Sequence, residues 1–316
     1  MKSPPGGSVL LTSLLVVSIA SILASVITWK SYSSIIRLEA QQDVAQARWI
    51  LKGAIDYARW ILIADSNGLE GQSVQIDHLQ EPWAQKIPFS KLDKLFTSKL
   101  NQEDQFFFSL AGLTGNIKDE QSKFNLARIT NSKNSIKAEQ GLKILFKELH
   151  IQDSVFDKFL NLLKKEHITL SRNNLLESSP AYLIKKRRKS LKKIIALLRL
   201  SPDKKKILTS NMTWLLKPTP ININTASIEV IAATFNEINK EKLANLSEAI
   251  QKFPLRSLNE ISIFYNYKFI SKKLIDVKSD FFTVTGYAHF GKAELEFSAL
   301  LQRNGFEAKV MDLEIT

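Results

Sequence analysis

The chain begins with a long apolar run, and a helical pattern of apolar positions follows it. From Ser8 to Trp29 there are 22 residues without a charged side chain. As a helix, this run is about 33 Å long, enough to cross the roughly 30 Å apolar core of a bilayer. The run therefore predicts a transmembrane segment over residues 8–29.

A cleavable secretion signal and a buried core helix are the two other interpretations of this run. A secretion signal has a shorter apolar core of about 7–15 residues and a small-x-small cleavage site. Only Leu23-Ala24-Ser25 comes near such a site. A helix that is apolar on all faces is unusual in a soluble domain, so we expect a membrane anchor.

Beyond the run, apolar residues recur at alternating spacings of four and three, which indicates one face of an amphipathic helix. No proline interrupts residues 8–64. We predict one continuous helix whose second half packs on a globular domain and whose apolar face assembles with neighbouring helices. A short coiled-coil stalk is the alternative. The predicted assembly face consists of Ala40, Val44, Ala47, Leu51, Ala54 and Ala58, followed by Ile61.

The pattern then changes twice along the chain. Residues 106–110, followed by Gly112 and Gly115, predict a buried strand that ends in a turn, and residues 116–119 predict a second strand. Helical spacing follows over residues 138–200, with two prolines marking breaks.

Strand patterning returns near the end of the chain. In residues 282–290 and 293–299 apolar and polar side chains alternate. This alternation predicts a hairpin with one buried face that turns near Gly291.

Strand-like segments therefore lie on both sides of a helical block. The fold class that we predict is α+β, with a long N-terminal helix packed on an antiparallel sheet and an all-helical domain inserted into it. We assign residues 30–130 and 219–316 to the α+β domain and residues 131–218 to the inserted domain. Residues 219–275 stay open between the two domains.

Positive charge is concentrated in one part of the chain. The 316 residues include 44 Lys and Arg against 31 Asp and Glu, a formal net charge of +13. A solvated helix face, anionic lipid headgroups and an acidic protein partner are three interpretations of such a run. The basic patch consists of Lys185, Lys186, Arg187, Arg188, Lys189, Lys192 and Lys193, and Arg199, Lys204, Lys205 and Lys206 follow it.

Four motifs carry a resemblance to a known family. They are "QARWILKGAIDYARWIL", "NIKDEQSKFNLARI", "PININTASIEVIAA" and "SDFFTVTGYAHFGKAELEFSALLQR". Together with a short basic leader that ends in glycine and an apolar helix, they resemble the K-type minor pseudopilins of type II secretion systems. The resemblance spans most of the chain and is weakest in residues 132–218.

This resemblance implies a non-enzymatic subunit at the tip of a secretion pseudopilus that supports protein export across the outer membrane. Its implied partners are I- and J-type minor pseudopilins, the H-type as well, the inner-membrane assembly platform and a prepilin peptidase. It also implies a single-pass inner-membrane protein with a cytoplasmic N-terminus and a periplasmic domain. The flanking charges do not settle that orientation, since Lys2 precedes the run while Lys30 and Arg37 follow it.

The resemblance further implies that a leader of residues 1–7 is removed. The cut would fall between Gly7 and Ser8, with Gly6 as the less favoured alternative, and Ser8 would become a methylated N-terminus. Most pilins carry a glutamate at the fifth mature position, which here is Thr12. K-type pseudopilins also depart from other pilins at this position, so the difference agrees with the resemblance.

The motif that begins at Pro220 has a second interpretation. An Asn-rich turn before an apolar helix is also how helix-hairpin-helix DNA modules begin, with Asn224 or Thr225 capping a helix that starts near Ala226. Such modules continue with a glycine hairpin that contacts phosphate, and residues 236–250 contain no glycine. A membrane-tethered DNA-binding protein is the alternative function, and we expect no specific nucleic-acid binding.

The sequence offers no arrangement typical of catalysis, and we predict that the chain is not an enzyme. Its four histidines stand far apart, it has no cysteine, and it lacks a phosphate loop and a nucleophile elbow. K-type pseudopilins share an acidic loop associated with calcium. The matching residues 162–182 have only Glu166 and Glu177 as carboxylates, whereas calcium takes six to eight oxygens. We therefore expect an absent or degraded calcium site and no cofactor.

Overall fold

The computed structural model describes residues 6–66, 75–91, 109–130, 135–172, 179–235, 239–265 and 274–316. These residues form a long N-terminal helix, a five-stranded antiparallel sheet and a block of shorter helices. The predicted α+β class is confirmed.

Within the described ranges the elements follow each other in this order. The helices are α1 (Gly6–Ser66), α2 (Ala127–Thr130), α3 (Ser135–Glu148), α4 (Asp153–Arg172), α5 (Pro180–Leu197), α6 (Pro202–Asn211), α7 (Ile228–Ala232), α8 (Lys240–Lys252) and α9 (Leu258–Tyr265). The strands are β1 (Ile87–Lys91), β2 (Ala111–Asp119), β3 (Phe124–Asn125), β4 (Met212–Thr213), β5 (Ile221–Asn222), β6 (Ile275–Asp276), β7 (Phe281–Phe290), β8 (Ala293–Asn304) and β9 (Glu307–Ile315). The sheet has the order β1-β2-β7-β8-β9, and the pairs β3–β4 and β5–β6 are short and parallel.

Helix α1 is continuous over 61 residues, as the absence of proline predicts. Its apolar side chains are exposed over the first half of the helix. In the second half, Leu51, Ile55 and Leu62 are buried against the sheet, where they pack with Val284 and Phe297. One helix therefore serves as both an apolar rod and one layer of the folded domain.

The predicted C-terminal hairpin is confirmed as β7 and β8, and Gly291 in its turn has a φ of 55°. Strand β9 was not predicted, because at this sheet edge Val310 is exposed while the acidic Asp312 is buried, so the apolar alternation is lost. The predicted turn at Gly112 and Gly115 is wrong, since both glycines lie inside β2.

Two other strands were predicted in and before β2. Residues 106–108 of the predicted strand 106–110 lie outside the described residues, and the next two residues are not in a strand. The second predicted strand, 116–119, is confirmed as the end of β2.

In the described part of residues 138–200, the predicted helical spacing is confirmed by helices α3, α4 and α5. Pro180 and Pro202, the two predicted breaks, are the first residues of α5 and α6, where a proline costs no hydrogen bond. Ser179 and Ser201 cap these helices, each accepting a hydrogen bond from a backbone N–H three residues on. The breaks are therefore helix starts with matching caps.

The helical block has apolar clusters of its own. One cluster includes Phe146, Phe159 and Leu163 and extends to Phe124. A second cluster joins side chains of α7, α8 and α9 to β6. The described residues between 219 and 275 thus pack mainly with other helices, although the division of the chain into two domains stays a prediction.

Helix α5 docks on the sheet face opposite to α1. Ile184 packs with Leu300 and Leu215, whereas the alternate β8 residues Phe297 and Leu301 face α1. Since neighbouring residues of a strand point to opposite faces, β8 separates the two helices. The sheet is therefore covered on both sides near its β8–β9 edge.

A glycine pair permits the close approach of the two central strands β2 and β7. Gly286 lies opposite Gly115. A Cβ atom at Gly286 would collide with the carbonyl oxygen of Thr114 and lie 2.9 Å from Gly115 Cα. Central strands cannot separate without breaking their ladder, so a side chain at Gly286 costs packing energy.

The Gly286→Ala variant should lose about 1–3 kcal/mol of unfolding free energy, as overpacked cores do. The matched control is Gly53→Ala, where an added Cβ meets nothing within 4 Å and helix propensity improves by roughly 1 kcal/mol. Chemical denaturation of the detergent-solubilised chain measures both. Equal stability of the two variants would contradict the argument.

Candidate functional site

The first half of α1 has the properties of a membrane anchor. Within the described residues one helix, Ser8–Ser66, is long and apolar enough to cross a bilayer. Large apolar side chains of its first half are exposed. A single-pass anchor fits this helix, and its apolar part agrees with the predicted segment 8–29.

The predicted processing residues lie at the start of α1. Helix α1 begins at Gly6, so Gly6, Gly7 and Ser8 all belong to its first turns. Nothing in the geometry distinguishes the bond after Gly7 from the bond after Gly6. Cleavage there stays a prediction.

The predicted helix-assembly face must be corrected. Ala47, Leu51 and Ala58 are buried against the sheet of the same chain, so they cannot contact a neighbouring subunit. Ala40 is exposed, while Val44 and Ala54 are half-buried. Sequence periodicity identified an apolar face correctly but could not tell whether it packs within the chain or between chains.

The basic patch must also be corrected, because three of its seven residues bind within the chain. The Arg188 guanidinium donates to the buried Asp312 carboxylate at 2.6 Å. Arg187 donates to the Leu215 carbonyl oxygen at 2.6 Å, and Lys192 pairs with Glu314 at 2.6 Å. The contacts of Arg188 and Lys192 dock α5 on β9, and the contact of Arg187 joins α5 to the segment that follows β4.

The other residues of the patch remain on the outside of α5. Lys185, Lys189 and Lys193 are exposed, and the Lys186 ammonium lies 5.5 Å from the centre of the Tyr182 ring. These lysines therefore form a solvated helix face. Binding of lipid headgroups or of an acidic partner by them stays a prediction.

The four motifs of the sequence meet at a buried polar junction. The first motif ends near the C-terminus of α1. The other three contribute Asp119, Asn222 and Arg303, each of which is buried. Residues far apart in the sequence thus share one site, and we call this set of side chains the junction.

Asp119 is the acceptor at the centre of the junction. Its Oδ2 accepts hydrogen bonds from Thr225 Oγ1 at 2.5 Å, Ser279 Oγ at 2.6 Å and Asn222 Nδ2 at 3.0 Å, and its Oδ1 accepts from the Gln121 backbone N–H at 2.7 Å. Burial raises the pKa of Asp119 to about 6, and these donors act in the opposite direction by stabilising the carboxylate.

Asn222 joins three segments of the chain through one amide group. Besides Asp119, its Nδ2 is 3.0 Å from both the Asp77 carbonyl oxygen and Ser279 Oγ. Its Oδ1 accepts from the Asn224 backbone N–H at 3.0 Å. Such a fully bonded buried amide fixes the relative positions of the segments that it contacts.

Arg303 ties the end of α1 to the junction. Its Nη2 donates to Asp77 Oδ1 at 2.6 Å and to the Ser279 carbonyl oxygen at 2.8 Å. Its Nη1 donates to Asp65 Oδ2 at 2.9 Å and to the Leu62 carbonyl oxygen at 3.2 Å. Burial lowers the pKa of Arg303, but the carboxylates of Asp77 and Asp65 outweigh burial, and the net shift is upward.

Asp65, Asp77 and Glu81 form a carboxylate cluster whose oxygens lie within 4.8 Å of one another. Arg303 already supplies positive charge to the two aspartates. Burial raises the pKa of Glu81 to about 8, and its Oε2 accepts from Trp83 Nε1 at 2.6 Å. The cluster is therefore an internal ion pair beside a carboxyl that tends to be neutral.

A second buried carboxylate links the helical block to the sheet. Glu120 accepts from Lys123 Nζ, from Thr213 Oγ1 and from Thr283 Oγ1, each at 2.7 Å. Burial opposes its charge, but Lys123 and the hydroxyl donors lower its pKa to about 2. The predicted polar face of β7 is thus buried at Thr283.

The DNA-binding interpretation of the third motif loses its structural basis. Asn222, Asn224 and Thr225 are buried, and Asn224 bonds the backbone of Leu255. The predicted cap at Asn224 or Thr225 is wrong, since Ser227 caps α7 by accepting from the Val230 N–H. The motif faces the protein interior instead of a phosphate backbone.

The structure describes only one of the two carboxylates in the segment that was matched to the calcium loop. Glu166 lies in α4, where it accepts a hydrogen bond from Ser190 Oγ at 2.8 Å. Glu177 lies outside the described residues. The degraded calcium site stays a prediction.

The junction was not predicted from the sequence. Sequence reasoning identified the motifs and quoted Asp119, Asn222 and Arg303 within them, but it assigned them no shared role. The signal that could have found the junction is the occurrence of polar residues at the ends of apolar strands, where polar side chains need partners when they are buried.

Comparison with known proteins agrees with the motifs. No family model matches the chain. The chain is 28% identical over 258 residues to the type II secretion system protein K of Pseudomonas aeruginosa, covering 79% of this chain and 73% of the relative. It is also similar to a chain in the crystal structure of the GspK-GspI-GspJ complex of the enterotoxigenic Escherichia coli type 2 secretion system, with a TM-score of 0.59 and 17% identity over 89% of this chain and 99% of that chain. The resemblance that the four motifs carry is therefore confirmed.

The Asn222→Ala variant should lose about 2–4 kcal/mol of unfolding free energy, because it leaves several buried groups without a partner at about 1–3 kcal/mol each. The control is Asn259→Ala, since Asn259 is exposed. Chemical denaturation of both variants measures the difference. A change below 0.5 kcal/mol, the usual range for surface substitutions, would show that the junction does not hold the segments together.

The Arg188→Ala variant should lose about 3–5 kcal/mol, because it leaves the Asp312 carboxylate buried without its partner. Lys189→Ala removes the adjacent exposed charge of the same helix and should change stability by less than about 0.5 kcal/mol. Limited proteolysis and denaturation measure both variants. If the two variants behaved alike, the basic residues of α5 would be a surface patch after all.

Proposed function

We propose that this chain, which is related to the K-type minor pseudopilins in sequence and shares their fold, is a minor pseudopilin at the tip of a type II secretion pseudopilus. In that role it supports protein export across the outer membrane without being an enzyme. The observation that carries the proposal is α1. A continuous helix of 61 residues joins an exposed apolar rod to a half that packs on the sheet.

The apolar rod supports the proposed location. Exposed apolar side chains over a membrane-spanning length need lipid or other helices around them. We therefore place the chain in the inner membrane as a single-pass protein with a cytoplasmic N-terminus. The folded domain then lies in the periplasm.

I- and J-type minor pseudopilins are the proposed partners, because the similar fold comes from a GspK-GspI-GspJ complex. The H-type pseudopilin, the inner-membrane assembly platform and the prepilin peptidase belong to the same proposal. The junction supports a structural role as well, since its polar groups are bonded to each other and none is presented to a substrate.

Processing gives the sharpest test of this proposal. Coexpressed with a prepilin peptidase, the wild-type chain should yield a methylated N-terminus at Ser8 in intact-mass spectrometry. Gly7→Val should keep its leader, because a branched side chain does not fit where the peptidase accepts glycine. The matched control is Gly6→Val, which should still be cut before Ser8.

The two glycine variants separate the possible outcomes. A Gly7→Val chain that is cut before Ser8 would show that the proposed bond is wrong. A block by Gly6→Val alone would move the site by one residue. A wild-type chain that the peptidase leaves intact would overturn the pseudopilin proposal.

A further inference from the structure

Strand β9 forms one edge of the five-stranded sheet. Within the described residues no strand pairs with its outer side. Glu296 and Thr316 exchange both backbone hydrogen bonds at 2.9 Å, and bonded and non-bonded residues alternate in an antiparallel pair. The backbone N–H and C=O groups of Leu313 and Ile315 therefore point away from β8. We call residues 312–316 the open edge.

The first part of β9 is protected against strand pairing, and the open edge is not. The Ala308 carbonyl oxygen accepts a hydrogen bond from Arg59 Nε at 2.6 Å. The register of β8 and β9 then shifts at Met311, which forms a bulge. Bulges, prolines and edge lysines keep sheet edges from pairing with other chains. Residues 312–316 contain neither proline nor lysine, so a further strand can pair there.

The side of the open edge that faces α1 is apolar. Leu313 is paired with Ala299, and Ile315 is paired with Phe297. The side chains of these β8 residues belong to the apolar cluster between α1 and the sheet, and directly opposed residues point to the same face. Leu313 and Ile315 are nevertheless 36% and 42% exposed. Apolar side chains of an added strand would cover them.

The other side of the open edge lies beside lysines of α5. Glu314 points to that side, where it pairs with Lys192 at 2.6 Å. Lys185 and Lys189 lie about two turns and one turn before Lys192 on the same flank of the helix, and both are exposed. Arg187 is on the opposite flank and contacts the segment after β4, which packs with β7. The lysine flank of α5 therefore overhangs the outer edge of the sheet.

Helix α1 adds positive charge on the other face of the sheet. Arg59 and Ser66 bind carbonyl oxygens at the start of β9 and in the turn before it. Arg48 and Lys52 lie about three and two turns before Arg59 on the same flank of α1, and both are exposed. At 1.5 Å per helical residue and about 3.3 Å per strand residue, they are level with the bulge and the open edge.

The carboxylates on β9 and on the adjacent flank of α1 have partners in the chain. The pairs are Asp56–Arg59, Glu307–Lys309, Asp312–Arg188 and Glu314–Lys192. Glu294 and Glu296 lie one strand further in, on β8. Within the described residues no salt bridge is made by the basic side chains that flank the open edge, which are Arg48, Lys52, Lys185 and Lys189. An occupant of the open edge is therefore acidic.

A second copy of this chain does not fit the open edge. Antiparallel pairing of two open edges would place the lysine flanks of two α5 helices against each other. It would also direct the apolar halves of the two α1 helices to opposite sides. Parallel pairing would exchange the faces and bring the lysines of α5 against Arg48 and Lys52. Like charges oppose both arrangements, so the occupant is a different chain.

We propose that the open edge binds an extended, acidic segment of another protein, which adds to the sheet as a sixth strand. Its backbone bonds the outward groups of Leu313 and Ile315. Acidic side chains face Lys185 and Lys189, and the alternate apolar side chains lie on the α1 side. Strand addition takes affinity from the main chain and specificity from alternate side chains. The inference goes beyond the proposed function and does not depend on it.

The first test adds a fluorescent peptide to the full-length chain in detergent. The peptide has about ten residues, the upper end of common strand lengths, and glutamate alternates with valine along it. Fluorescence anisotropy should show saturable binding. The same peptide with N-methylated backbone amides should not bind, because it keeps every side chain but cannot pair as a strand. A peptide with lysine in place of glutamate should not bind either.

Two sets of variants locate the peptide on the chain. Leu313→Pro removes an outward N–H, which an edge position tolerates, and should weaken binding by about tenfold or more. Leu313→Val keeps the N–H and should bind as the wild type does. Lys185→Glu with Lys189→Glu should also weaken binding by about tenfold. Its matched control is Lys137→Glu with Lys206→Glu, which makes the same change of net charge at exposed lysines of α3 and α6.

The thermal midpoint of each free variant shows whether it is folded. If Leu313→Pro does not fold, the N-methylated peptide and the lysine variants still decide the question. Disulfide cross-linking then determines the conformation of the bound peptide, since the chain has no cysteine. Ile315→Cys should cross-link to single cysteines at every second position of the peptide, the period of a strand. Phe253→Cys, at a residue that is 77% exposed, is the control and should give no cross-link.

The inference has clear contrary outcomes. Equal binding of the N-methylated peptide would show that the lysines hold an acidic chain without strand pairing, and it would overturn the inference. Cross-links between two copies of Ile315→Cys without peptide would assign the open edge to a second copy. Displacement of the peptide by duplex DNA at physiological salt would assign the basic flank to nucleic acid. None of these results bears on cleavage before Ser8, so the proposed function is tested separately.

Discussion

The buried guanidinium of Arg303 is the constraint on which the rest of this structure depends. It contacts the end of α1 through Leu62 and Asp65, and it contacts the segment after α1 through Asp77. An unpaired charge in this position would be strongly unfavourable. The sheet, the end of the long helix and the chain that follows must therefore come together in one arrangement.

The value of this ion pair lies in geometry more than in stability. A buried ion pair often contributes no more to stability than apolar residues of the same size. Apolar side chains, however, tolerate many relative positions, whereas the guanidinium of Arg303 needs several acceptors placed at hydrogen-bonding distance. Asn222 likewise needs partners at hydrogen-bonding distance, and it fixes the position of the helical block in the same way. A rigid connection between α1 and the domain follows.

The sequence predicted the elements better than it predicted their contacts. The uncharged run predicted the anchor, and the alternation of apolar and polar residues predicted the β7–β8 hairpin. Both elements could be predicted because they depend on residues that are close together in the sequence. Strand β9 was missed because it mixes the exposed Val310 with the buried Asp312. The buried state of Asp312 depends on Arg188, which is 124 residues away, and no local pattern contains that information.

The same limit explains the errors at the candidate sites. The apolar face that includes Ala47 and Leu51 was assigned to assembly, because periodicity shows that a face is apolar without showing what covers it. Likewise, the basic run was interpreted as one patch, although Arg187 and Arg188 turn toward the protein. In both cases the partner belongs to the same chain, and sequence spacing could not reveal it.

The second half of α1 therefore has two faces of different composition. The face with small and aliphatic side chains packs on the sheet, where Ala47 and Ala58 allow close approach. The opposite face presents large aromatic rings around Gly53. Exposure of these rings to water is unfavourable, and they contribute nothing to the core. If the domain alone required packing, one apolar face would be sufficient. Packing on the sheet of the same chain therefore accounts for the buried face of α1 and not for the aromatic one.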